Sequence, residues 1–68
     1  MNSETRKVRF LIDSKDEDLG VDVCVKDEII EVSIVEEGIM FFKWCEMNKE
    51  EMGYLLPHYE ENRIFEYV

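Results

Sequence analysis

From Lys7 to Cys45 apolar and polar residues alternate with a period of two, the repeat of a pleated strand with one face buried. Val8, Phe10 and Ile12 alternate with Lys7, Arg9 and Leu11, which predicts a first strand. The acidic run Asp13–Asp18 reads as a solvated loop ending near Gly20. Val21, Val23 and Val25 then alternate with Asp22, Cys24 and Lys26, and Ile30, Val32 and Ile34 with Glu31 and Ser33. A turn at Asp27-Glu28 would pair Val25 with Ile30 and Val21 with Ile34. A three-residue loop at Glu36-Glu37-Gly38, closed by glycine in the left-handed conformation, would pair Ile34 with Met40, Val32 with Phe42 and Ile30 with Trp44.

That register puts the valines, isoleucines, Met40, Phe42 and Trp44 on one face. Asp22, Cys24, Lys26, Glu31, Ser33, Phe41, Lys43 and Cys45 fall on the other, with Glu31 opposite Lys43. Trp44 is expected to be buried. Cys24 and Cys45 are expected to be free thiols, because a whole strand lies between them and a disulfide needs Cα atoms within about 7 Å.

One apolar face needs a cover. Asn48 followed by Glu51 resembles a capping box, Met47 and Met52 suit a hydrophobic staple, and Met52, Leu55, Leu56 and Tyr59 follow helical spacing. A first helical segment from Lys49 to about Leu56 is therefore expected, with a kink or fresh turn at Pro57, which removes an internal hydrogen bond, and with Gly53 weakening it. Arg63–Val68 reads as a short final strand. The fold class is then α+β: one domain over residues 1–68, an antiparallel four-stranded meander with room for a fifth C-terminal strand, and one helix packed on one face.

The composition narrows the function classes. Residues 1–12 carry Arg6, Lys7 and Arg9 against Glu4, a net of +2; the other five basic and sixteen acidic residues give −11, for −9 in all. Such a body repels phosphate, so direct nucleic-acid binding would rest on the short basic arm alone and is counted against. No apolar stretch approaches the length of a membrane span, and the N-terminus lacks the apolar core of a secretory signal. A reducing, cytoplasmic location is the expectation.

No catalytic residues are assigned. His58 is the only histidine, and nothing directs it to either cysteine or to a third partner. Asp13, Asp16, Glu17 and Asp18 lack the alternation and the distal glutamate of a calcium loop, and two cysteines with one histidine fall short of a zinc site. No cofactor is expected.

What remains is a non-enzymatic interaction module whose acidic surface docks on a basic, nucleic-acid-binding surface of another protein. It would act as an inhibitor that imitates a phosphate backbone, by analogy with small phage-type inhibitors. Asp22, Glu31, Glu60 and Glu61 are further acids such a row could draw on. The partner-binding candidates are Glu36, Glu37, Glu50 and Glu51 for steering, with Phe41 or Tyr54 as exposed aromatic anchor. The alternative is a homo-oligomeric structural or accessory subunit that completes its core by self-association.

Overall fold

The computed structural model describes residues 4–68, and they form an almost all-β structure with no α-helix. The strands are β1 (Glu4–Phe10), β2 (Ser14–Asp16), β3 (Val21–Cys24), β4 (Ile29–Ile34), β5 (Gly38–Cys45), β6 (Glu50–Pro57) and β7 (Phe65–Tyr67), with a single 3₁₀ turn at His58–Glu60. Five strands make one antiparallel sheet in the order β6-β5-β4-β1-β7, and β2 and β3 form a separate hairpin. The core lies between hairpin and sheet. Val21, Val23 and Cys24 of β3 join Val8, Phe10, Val32, Ile39, Phe41, Cys45 and Phe65 of the sheet. Side-chain bonds also tie the two layers: the Tyr54 hydroxyl donates to Asp16 Oδ2 at 3.1 Å, and the Cys45 thiol donates to the Leu19 carbonyl at 3.7 Å.

The expected helix is a strand. Residues 52–56 satisfy two periods at once, since Met52, Tyr54 and Leu56 also alternate with Gly53 and Leu55. In a helix Gly53 would cost about 1 kcal/mol and an internal proline about 3. In β6 both fit, because Gly53 lies across from Phe42 and Pro57 ends an edge strand, where a missing N–H costs no ladder bond. The Asn48–Glu51 capping signature instead belongs to the β5–β6 hairpin, whose loop Glu46–Lys49 carries Lys49 at φ 55°.

The four-stranded meander is also overturned. β4 pairs with β1 rather than β3, so that Val8 faces Ile30 and Lys7 faces Glu31. The run expected as a loop contributes β2, which pairs with β3. Asp16 holds the following turn by accepting the N–H groups of Asp18 and Leu19, and Asp13 accepts the N–H of Lys26 at 2.8 Å. Asp27, at φ 73°, turns the chain from β3 towards β4.

The β4–β5 register differs by one residue from the expectation. Ile34 lies opposite Ile39, not Met40, and the Val35 N–H bonds to the Gly38 carbonyl at 2.9 Å around a two-residue turn at Glu36-Glu37. Gly38 is not in the left-handed region; it is glycine for lack of space. A Cβ there would lie 2.7 Å from the Leu56 carbonyl carbon and from the Pro57 Cα. Because side chains alternate, a one-residue slip exchanges the faces of β5. Ile39, Phe41 and Cys45 turn inward, and Met40, Phe42 and Trp44 turn out. Trp44 is therefore 52% exposed rather than buried, and both cysteines sit in the core rather than on the outer face. They are free thiols, as expected. The short C-terminal strand is present as β7, paired with β1.

Candidate functional site

The reversed face of β5 creates the most conspicuous surface of the molecule. Met40, Phe42 and Trp44 follow each other over roughly 13 Å of strand, and Leu55 of β6 lies directly beside Met40. Phe42 is 60% exposed, Trp44 52% and Leu55 45%. The Phe42 ring extends across Gly53, whose missing side chain leaves it that room: its nearest ring atom would lie 3.1 Å from a Cβ there. Ile29 at the start of β4 is 48% exposed, and the paired Lys7 and Glu31 carry the outer side of the sheet towards β1. Contiguous apolar residues on one face are candidates for an interaction surface, whereas scattered ones need no explanation.

The rim is acidic at both ends. Glu36 and Glu37 are exposed at the β4–β5 turn, and Glu50 and Glu51 at the start of β6. Gly38 pairs with Pro57 and Cys45 with Glu50, so the two acidic pairs lie at opposite ends of the hairpin, roughly 23 Å apart along an eight-residue strand. They do not form one cluster. Nor do they share a helix with Glu60 and Glu61, which follow β6 in and after the 3₁₀ turn.

The two expected aromatic anchors are not on this surface. Phe41 is 3% exposed and stacks between Phe10, at a ring separation of 5.4 Å, and Tyr54, at 6.1 Å. Tyr54 is half-buried, and desolvation together with its bond to Asp16 raises its pKa. Phe42 and Trp44, absent from the expected set, take the exposed positions. Only the turn geometry separates these outcomes, and Glu36-Glu37-Gly38 is compatible with both turns.

A cleft of about 360 Å³ opens where β5 parts from β4, whose pairing ends at Ser33 and Met40. The Lys43 ammonium spans it to Glu28 Oε1 at 2.7 Å. Asp22 and Val25 line it from the hairpin side, Trp44 and Glu46 from β5 and its loop. The basic residues of β1 are largely engaged: the Arg6 guanidinium lies 4.2 Å from the centre of the Tyr67 ring, and Arg9 pairs with Glu66 at 2.9 Å.

Burial pushes the Cys24 thiol up to about 11, the nearby Lys43 offsetting only part of the effect, so Cys24 is a protonated core residue at neutral pH. His58 bonds the Val35 carbonyl at 2.9 Å. Among the described residues no three His, Cys, Asp or Glu side chains are grouped so as to hold a metal ion, and no helix is long and apolar enough to cross a membrane. No family model, curated protein or solved structure matches the chain.

Proposed function

We propose that the chain is a non-enzymatic protein-interaction module that docks on a basic surface of another protein, with the outer face of β5 as its anchor. The observation that carries this reading is the exposed row Met40, Phe42 and Trp44, continued by Leu55, on a chain of net charge −9. Aromatic residues with large contact area and few rotatable bonds dominate binding energy at interfaces, and complementary charge speeds and orients encounter. Glu36, Glu37, Glu50 and Glu51 supply the charge around the anchor. A partner that uses its basic surface to hold nucleic acid would be inhibited by occupation of that surface.

The test compares wild-type protein with Phe42→Ser and with Glu36→Lys/Glu37→Lys, each used to capture partners from a host lysate at low and high salt. Basic proteins retained by the wild type, lost with Phe42→Ser and weakened by charge reversal at low salt support the reading. Retention indifferent to both changes refutes it. If the protein instead shows a concentration-dependent mass that Phe42→Ser abolishes, the exposed row is a contact between copies and the homo-oligomeric alternative replaces it.

A further inference from the structure

The cleft at the Trp44 end has walls of unequal kind. Val21 and Val25 make its apolar side, and Gly20 leaves its rim open. Trp44 is half exposed beside it, with its indole N–H donating to the Glu46 carboxylate. Glu28 is neutralised by Lys43 across the opening. Asp22 has no ion-pair partner among the described residues, and Glu46 has only the solvent-exposed Lys49 at 3.5 Å. Counting Asp22, Glu28 and Glu46 against Lys43, the lining has a net charge of −2.

We infer that this cleft receives a cationic side chain of the partner, an arginine guanidinium above all. The inference rests on the docking reading and names the group that the module recognises. About 360 Å³ is at the small end of ligand pockets, suited to one long side chain rather than a larger molecule. An apolar wall accepts the aliphatic stem of arginine, an indole is the best aromatic face for a cation, and carboxylates bond the planar guanidinium in its own geometry. The three carboxylates do not converge as metal ligands, no such group being present among the described residues. The cleft adjoins the exposed row through Trp44, so a partner lying on Phe42 can present a basic side chain to it.

Trp44 is the sole tryptophan, and its fluorescence reports the cleft directly. The probes are an acetylated, amidated Gly-Arg-Gly peptide and its citrulline counterpart, which keeps the shape and removes the charge. The arginine peptide should give a saturable change in Trp44 emission, with amide shifts confined to Gly20–Asp22 and Trp44–Glu46, and citrulline should not. Asp22→Asn and Glu46→Gln should each weaken binding about five-fold, the loss of one partly exposed ion pair. Both side chains are exposed, so the variants should stay folded. No saturation, equal response to citrulline, or indifference to both substitutions overturns the inference. If the peptide fails to bind while partner capture still depends on Phe42, this inference falls and the docking reading stands. If the peptide binds and no basic partner is captured, the cleft stands and the docking reading falls.

Discussion

Exchanging the faces of β5 exchanges the roles of its aromatics, and two alanine substitutions expose the difference. Phe41 is 3% exposed and packs against Phe10 and Tyr54 in the middle of the core. Its truncation removes the transfer energy of a whole ring and leaves a cavity bounded by side chains that cannot collapse fully. Such changes cost about 3–5 kcal/mol. A single core in a chain under about 70 residues rarely supplies more than about 3–5 kcal/mol, so Phe41→Ala should leave the protein largely unfolded or close to it. Trp44 is 52% exposed, and its alanine variant should lose no more than about 1 kcal/mol. Urea denaturation followed by circular dichroism measures both, since Trp44→Ala removes the fluorophore. Native emission of the wild type should be that of a largely hydrated indole. A Trp44→Ala protein less stable than Phe41→Ala, or a blue-shifted native emission, would refute the register and with it the exposed row.

Three further outcomes follow from the packing and the site. Gly38→Ala should cost about 2–3 kcal/mol, because the new methyl meets the β6 backbone at Leu56 and Pro57, whereas Gly53→Ala should cost less, its nearest neighbour being the end of the exposed Phe42 ring; thermal melts rank the two. Cys24 titrates near 11 in the folded state against 9.0 as its ordinary value, so above pH 9 the unfolded chain loses the thiol proton while the folded one keeps it, and stability should fall between pH 9 and about 11. Melts of the wild type and Cys24→Ala across that window should show the steeper alkaline decline in the wild type. Glu36→Lys/Glu37→Lys should leave stability within about 0.5 kcal/mol, since both side chains are exposed at a turn, while shifting the net charge from −9 to −5 and slowing association with a basic partner.

The strands that alternate without ambiguity were legible from composition and period alone. Val8 and Phe10 in β1, Val21 and Val23 in β3, and Val32 in β4 all turn inward as their spacing implies. The partners of those strands were not legible, because pairing β3 with β4 or with β2 satisfies the same alternation. What decides it includes short-range polar chemistry: Asp16 closes the β2–β3 turn and Asp13 bonds Lys26, roles hidden in a run of acids that reads as solvated. In β6 a five-residue apolar pattern fits both periods, and the arbitration lay in Gly53 and Pro57, which a helix resists and an edge strand tolerates.

The site was hidden for one reason. Residues 39–45 read Ile, Met, Phe, Phe, Lys, Trp, Cys, so apolar side chains occupy both sets of alternate positions, and hydrophobicity cannot say which set is buried. The face is assigned by the preceding turn, where a two-residue turn and a three-residue loop differ by one residue of slip. Burying Met40, Phe42 and Trp44 would have left Phe41 as the surface aromatic; burying Ile39, Phe41 and Cys45 leaves a tryptophan and a phenylalanine in water. A strand that is apolar on both sides must expose one of them in a two-layer fold of this size, whatever its register. The β5 strand thus carries more apolar surface than the core uses, and the surplus is the surface on which binding is proposed.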